Sequence, residues 1–231
     1  MNFTWERLAD KVFRTRLPFL DVTVGVVCGS TGTLLVDTGT TLGEAAAIAA
    51  DVGELAATPI THILLTHNDF DHILGIGGHP GAEVFSTDRV VATLLHESAQ
   101  LRDEALSYDA DPQEIDAAIA ARRIPDHAVR QAVVGLGDRT VSIVHPGRGH
   151  TDHDLIAVVR GAERPVVFCG DLVEESGEPS VEADSDPGSW PATLDRLLRI
   201  GGPDAVYVPG HGATVDAAFV QRQRQWLAER V

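Results

Sequence analysis

Short apolar runs that end directly in aspartate or histidine recur along this chain of 231 residues. Each run has the length and the β-branched composition of a buried strand, and glycine stands near most of the polar residues that follow. In α/β proteins, ligand sites are built where the carboxyl ends of strands meet. The pattern therefore restricts the chain to a sheet-based fold in which several strand ends surround one site.

Five such strand ends carry the candidate residues. The densest is the segment HNDFDH at 67–72, which follows the apolar run 60–65. A single histidine or aspartate after a strand is usually an ordinary loop residue, but five in one chain are hard to attribute to turns. Imidazole and carboxylate groups together are typical ligands of divalent metals, so the pattern predicts a metal site. The other four strand ends carry Asp37, His150, Asp171 and His211.

The remaining pattern predicts helices on both sides of these strands. Helical spacing of apolar residues occurs at 42–57, 191–199 and 215–230, and residues 87–130 are also expected to be helical. Residues 20–27 are predicted to form a strand and residues 172–188 an acidic loop. We expect one α/β domain over residues 1–231, in which two packed sheets are covered by helices. The helical insertion at about 87–130 would either cover the site or form a homodimer surface.

The charge balance excludes several classes of partner. The chain has 18 Lys and Arg against 34 Asp and Glu, a net charge of −16, and Lys11 is its single lysine. Proteins that bind nucleic acid need clusters of cations for the phosphates, so none is expected here. The sequence has no apolar run long enough to span a membrane and no export signal, which predicts a cytoplasmic protein that acts on a small-molecule substrate.

The motifs LLVDTG, THNDFDH, GHT, GD and PGHG resemble those of the metallo-β-lactamase superfamily and follow that family's order from Asp37 to His211. The resemblance implies an α/β fold, an αββα sandwich of two mixed β-sheets flanked by helices, with two divalent metal ions at one edge. It implies that Asp171 bridges the two ions and that Asp37 supports the site from outside the ligand set. The remaining ligands would be His67, Asp69 and His150 for the first ion, and Asp71, His72 and His211 for the second.

Asp69 departs from the family pattern His-x-His-x-Asp-His, because it stands where the second histidine is expected. Its carboxylate could ligate, could leave one metal weakly bound so that the site is mononuclear, or could mark an inactive site. We favour ligation, since carboxylate is a competent ligand and every other position is intact. The extra negative charge would make the metals weaker Lewis acids. Zinc is the first expectation, and Asp69 widens the choice to manganese or iron.

The resemblance implies a dinuclear metallo-hydrolase that uses a metal-bridging hydroxide on a small carbonyl substrate, namely an ester, lactone or thioester. Asp71 is the expected catalytic residue, which would orient the hydroxide and pass its proton to the leaving group. A di-iron redox protein is an alternative that would account for Asp69, and a non-catalytic metal-binding or ligand-binding member of the same fold is another. Arg148 could meet a substrate or be a solvated loop residue, and His153 is expected to be an exposed turn residue.

Overall fold

The computed structural model describes residues 1–161 and 163–230, and its first β-sheet contains seven strands in sequence order. The first four strands pair antiparallel, whereas the fourth to the seventh pair parallel. Parallel neighbours need long crossover connections, and helices supply them here. The strands are β1 (Trp5–Ala9), β2 (Val12–Arg16), β3 (Thr23–Cys28), β4 (Thr33–Val36), β5 (Ile60–Leu64), β6 (Glu83–Ser86) and β7 (His127–Ala128).

The second β-sheet contains five strands and is also mixed. Its spatial order is β12-β11-β10-β9-β8, with antiparallel pairing everywhere except between β11 and β12, which run parallel. These strands are β8 (Gln131–Gly135), β9 (Thr140–Val144), β10 (Ile156–Val159), β11 (Val166–Glu174) and β12 (Val206–His211).

Side-chain caps define where several helices begin. Thr41 and Glu44 form a reciprocal capping box at the start of the first helix, and Asp111 caps the fifth helix immediately before Pro112. In the described part of the chain, no helix is long and apolar enough to cross a membrane. The α-helices are α1 (Leu42–Leu55), α2 (Phe70–Ile73), α3 (Asp88–His96), α4 (Ser98–Ser107), α5 (Pro112–Ala121), α6 (Trp190–Gly201) and α7 (Ala217–Ala228), and a 3-10 helix covers Leu74–Gly78.

Three layers of buried apolar side chains hold the sheets and helices together. One face of the first sheet packs on α1 and α3–α5, and one face of the second sheet packs on α6 and α7. The two remaining faces pack on each other. Strand alternation assigns the faces, because Val26 of β3 points to the helices while Val27 points to the other sheet. The αββα sandwich of two mixed sheets is therefore confirmed.

Three local predictions are corrected by the structure. Leu20 and Asp21 have positive φ values of 53° and 60° and form a turn, so the strand begins only at Thr23. The helices expected at 87–130 end at Ala121 and are followed by the short strand β7. The acidic loop begins later than expected, because β11 continues through the apolar pair 172–173 to Glu174.

Gly25 of β3 marks a point where the two sheets approach closely. A Cβ atom at this position would lie 2.3 Å from Cε1 of Phe168 in β11. We therefore expect Gly25→Ala to lower the free energy of unfolding by about 1–3 kcal/mol through overpacking, measured by urea denaturation. Gly135→Ala in β8 is the matched control, since a Cβ there meets nothing within 4 Å. Equal losses in both variants would contradict this account of the inter-sheet contact.

Candidate metal centre

All seven predicted ligands come together at the ends of strands from both sheets. His67 lies in the loop after β5, and Asp69 is the N-cap of the one-turn helix α2. The second sheet provides three of the seven: His150 lies in the β9–β10 loop, Asp171 in β11 and His211 at the end of β12. The remaining two, Asp71 and His72, lie on α2.

The first group of ligand atoms surrounds the Asp69 carboxylate. Asp69 Oδ2 lies 3.2 Å from His67 Nε2 and 3.1 Å from His150 Nε2. Asp171 joins them, so that the four residues each offer one ligand atom within 4.8 Å of the others. Asp69 therefore points into the cluster from the position that a ligand at the variant site would take.

The second group lies on the other side of Asp171. Asp71, His72 and His211 offer ligand atoms within 4.8 Å of one another. Asp171 Oδ1 lies 3.3 Å from His72 Nε2, and Asp171 Oδ2 lies 3.2 Å from His211 Nε2. Because Asp171 Oδ2 is also 3.8 Å from His67 Nε2, this carboxylate stands between the two groups.

The Asp37 carboxylate orients two of the histidines through hydrogen bonds on their Nδ1 side. It accepts hydrogen bonds from the Thr66 backbone N–H at 2.8 Å and from the Thr66 hydroxyl at 2.9 Å. Its Oδ2 also lies 3.0 Å from His72 Nδ1. Since the Thr66 hydroxyl donates to Asp37, its oxygen is left to accept from His67 Nδ1 at 2.8 Å. Asp37 thus orients His72 directly and His67 through Thr66.

The hydrogen bonds of the four histidines assign the same tautomer to each ring. Each Nδ1 faces an oxygen that can only accept or is left to accept, so Nδ1 carries a proton in every ring, and Nε2, which faces the cluster, is the nitrogen that would ligate a metal after losing any proton of its own. Neutral imidazole with a free Nε2 is the form that ligates metals. The Nδ1 partners are Thr66 Oγ1 for His67, Asp37 Oδ2 for His72, Ser180 O for His150 and Leu20 O for His211.

The carboxylates of the cluster stabilise positive charge on the groups beside them. Burial lowers the pKa of His67, but the Asp69 and Asp171 carboxylates outweigh burial and raise it to about 10. Burial would raise the pKa of Asp171, yet the surrounding histidines hold it well below its usual range. Among the described residues, His67 Nε2 and Asp171 Oδ1 are buried without a hydrogen-bond partner. Orphaned polar atoms on converging imidazoles and carboxylates fit a divalent metal ion.

An acidic cleft of about 230 Å³ opens onto this cluster. Glu104 of α4 and Tyr108 after it form part of the wall, so residues from the predicted insertion border the site. Burial, together with Asp69 and Glu182, raises the pKa of Glu104 to about 8. Within the described chain, no Lys or Arg lines this cleft. The other lining residues outside the ligand set are Leu20, Phe70, Glu174, Ser176, Gly177, Glu178, Ser180 and Glu182.

Two other residues singled out in the sequence lie outside the cleft lining. Arg148 is exposed and pairs with Asp186 at 3.3 Å. The prediction that His153 is exposed is wrong, because only 3% of the residue is accessible. The Thr151 hydroxyl oxygen accepts from the His153 N–H and folds this turn inward. Burial lowers the pKa of His153 to about 4, so the ring is neutral.

Thr66 and Glu104 belong to the site but were not singled out from the sequence, and Glu174 was assigned only to the acidic loop 172–188. Thr66 precedes a predicted ligand, and its hydroxyl is a common type of histidine partner, so its position did carry a signal. Glu104 reaches the cleft from α4, about 35 residues along the chain from the HNDFDH segment, and no local pattern indicates that contact.

The chain belongs to the metallo-β-lactamase superfamily, whose family model matches residues 17–211. Solved structures extend the similarity to nearly the whole chain. DIM-1 metallo-β-lactamase superposes with a TM-score of 0.77 at 14% identity and covers 99% of this chain and 98% of its own. A structure of the same β-lactamase exposed to ceftazidime superposes with a TM-score of 0.76 at 13% identity and has the same coverage of both chains. VMB-1 at pH 5.5 superposes with a TM-score of 0.74 at 15% identity and covers 99% of this chain and 97% of its own. At these identities the likeness concerns the fold.

Asp37→Asn tests whether the supporting carboxylate tunes the centre. Loss of a partner that orients two ligands is expected to weaken the affinity for divalent metal about 10–100-fold, measured by competition with a chromophoric chelator. Asp109→Asn is the matched control, because Asp109 has the same left-handed backbone as Asp37, with φ of 63° against 61°, but lies outside the cluster. Equal affinities for both variants would show that Asp37 has no such role.

Metal binding is expected to release protons. In the metal-free protein, the carboxylates raise the pKa of His67 to about 10 and that of His211 to about 11 against the effect of burial, so both rings are protonated near neutral pH. A metal must displace these protons, and its apparent affinity should therefore rise with pH. Isothermal titration calorimetry in two buffers of different ionisation enthalpy measures the release. Binding heats that are independent of the buffer would contradict the expectation.

Proposed function

We propose that this protein is a metal-dependent hydrolase that acts on a small carbonyl compound, namely an ester, lactone or thioester. The observation that carries the proposal is the convergence of four imidazole Nε2 atoms and four carboxylates, those of Asp69, Asp71, Asp171 and Glu174, beside an open cleft. We infer two divalent ions, with zinc expected first and with manganese or iron brought into range by Asp69. One ion would be held by His67, Asp69 and His150, and the other by Asp71, His72 and His211. Asp171 would contact both ions.

Bound divalent ions would polarise the substrate carbonyl and lower the pKa of a coordinated water molecule. Asp71 is the proposed catalytic residue of the chain itself. Its Oδ2 lies 3.5 Å from His211 Nε2, and its carboxylate lines the cleft. Burial raises the pKa of Asp71, and Asp171 and Asp69 add to the increase against the neighbouring histidines. We infer that the Asp71 carboxylate orients the nucleophile and passes its proton to the leaving group.

The charge of the cleft narrows the substrate class. Four glutamates (Glu104, Glu174, Glu178 and Glu182) line it, and the described lining contains no cation. A carboxylate on the substrate would therefore meet like charges and no ion-pair partner, whereas an ammonium group would be attracted. We infer a neutral or cationic substrate.

Three p-nitrophenyl esters with the same leaving group test the proposal: an anionic succinate ester, a neutral butyrate ester and a cationic 4-trimethylammoniobutyrate ester. The metal-loaded protein is expected to hydrolyse the cationic and neutral esters with a kcat/KM at least about fivefold higher than the anionic ester, which corresponds to ~1 kcal/mol per charge contact. Above the pKa of Glu104, which is about 8, this carboxyl is charged, and Glu104→Gln should there narrow the difference between the cationic and anionic esters. A preference for the anionic ester would refute the inferred substrate charge.

Metal analysis of the purified protein separates the proposed hydrolase from the alternatives. Asp171→Asn is expected to lose both metal and hydrolysis, because Asp171 lies between the two groups of ligands. Iron with a redox-active spectrum and no hydrolysis would favour the di-iron redox protein. Full metal occupancy without turnover of any ester, lactone or thioester in a broad panel would favour a non-catalytic binding protein.

A further inference from the structure

Glu174 lies beside the candidate metal centre but corresponds to none of the predicted ligands. It offers a carboxylate oxygen within 4.8 Å of ligand atoms on Asp171 and His211. The residue is largely buried, with 9% of its surface exposed, and it lines the same cleft. A carboxylate therefore stands on the His211 side of the centre in addition to Asp71 and Asp171.

A local irregularity in β11 brings Glu174 to this position. Gly170 pairs with Pro209, and Glu174 pairs with His211. Between these two pairs the chain moves four residues along β11 but only two along β12, which is a shift in register. In a regular strand, the side chains at positions 171 and 174 would point to opposite faces of the sheet, because the two positions are three apart and side chains alternate with a period of two. A bulge redirects side chains in this way and is often found at functional sites. Here it places Glu174 and Asp171 around the same histidine.

Ser176 holds one oxygen of the Glu174 carboxylate. Both hydrogen bonds that it accepts go to Oε1, from the Ser176 N–H at 2.9 Å and the Ser176 hydroxyl at 2.6 Å. The Glu174 N–H donates to Gln223 Oε1 of α7 at 3.0 Å, and Gln223 Nε2 donates to Leu172 O at 2.9 Å. Gln223 thereby fixes the end of β11, and Oε2 accepts no hydrogen bond from the described residues.

Among the described residues, no Lys or Arg compensates this carboxylate, which leaves His211 and a metal ion as the positive groups that can. Glu174 forms no ion pair with Lys or Arg in that part of the chain, while Asp171 stands beside it. A largely buried carboxylate next to another is unfavourable unless a positive charge lies between them or close by. The orphaned Asp171 Oδ1 is an independent sign that a ligand belongs at this place.

We propose that Glu174 is an additional ligand on the His211 side of the centre and makes that side rich in oxygen donors. Hard oxygen ligands favour ions such as Mn²⁺ relative to zinc, which prefers nitrogen and sulfur. Glu174 thus adds to Asp69 a second carboxylate beyond the ligand set expected for the superfamily. The inference rests on the proposed metal binding and not on any particular substrate.

Glu174→Gln tests the proposal in the full-length protein, with Glu178→Gln as the matched control. Both changes remove one negative charge from the same cleft, but Glu178 lies outside the ligand clusters. The dissociation constant of the more weakly bound ion is measured by chelator competition, with Mn²⁺ and with Zn²⁺. Glu174→Gln is expected to weaken the affinity for Mn²⁺ about tenfold or more and the affinity for Zn²⁺ by a smaller factor. Glu178→Gln is expected to change either affinity by less than about threefold.

Equal effects of the two variants would overturn the proposal, as would an equal loss of both ions in Glu174→Gln. Thermal unfolding of the metal-free variants controls for misfolding. If Glu174→Gln does not fold, Ser176→Ala keeps the carboxylate but releases Oε1, and it should alter the visible spectrum of the Co²⁺-loaded protein; an unchanged spectrum would contradict the inference. Ester hydrolysis is scored separately, so that an inactive protein with Glu174-dependent Mn²⁺ affinity would refute only the proposed function.

Discussion

The buried carboxylate of Asp37 organises the candidate centre. It follows β4 in a left-handed backbone conformation that aspartate tolerates better than most residues, with φ of 61°. Its own N–H donates to Leu64 O of β5 at 2.8 Å, so the parallel pair β4–β5 holds it in place. From there it orients His72 directly and His67 through Thr66. The backbone pairing of β4 with β5 therefore determines how the rings of His67 and His72 are oriented toward the cluster.

The centre also depends on how the two sheets meet, since neither sheet contains all the ligands. The first sheet and α2 contribute the HNDFDH segment, while the second sheet contributes His150, Asp171 and His211. Hydrogen bonds join the two halves close to the cluster. The Leu155 N–H donates to Thr66 O at 2.8 Å, and His211 Nδ1 lies 2.7 Å from Leu20 O. Packing between the sheets therefore sets the distance between the two groups of ligands.

Local signals in the sequence were enough for two packed sheets covered by helices and for a metal site at the strand ends, whereas the resemblance to the superfamily implied the αββα arrangement and the seven ligands that converge. Each of those residues follows an apolar strand, and such short-range patterns survive in the fold. The strand β1 was not predicted, because Glu6 and Arg7 stand on it and its core residues are few. The approach of Glu104 depends on a distant segment of the chain. Glu174 was not predicted as a ligand, because the sequence assigned it to the acidic loop and gave no sign of the β11 bulge that brings it to the centre.

Gly210 of the PGHG motif shows what a glycine can contribute besides backbone freedom. Gly210 is not among the residues with positive φ, so its conformation is open to other residues. A Cβ there, however, would lie 1.8 Å from Asp171 Oδ1. The missing side chain leaves room for one oxygen atom of the carboxylate that stands between the two groups of ligands. A relative could keep all seven ligand residues and still lose this arrangement through a single methyl group, so glycine at 210 belongs to the definition of the site as much as the ligands do.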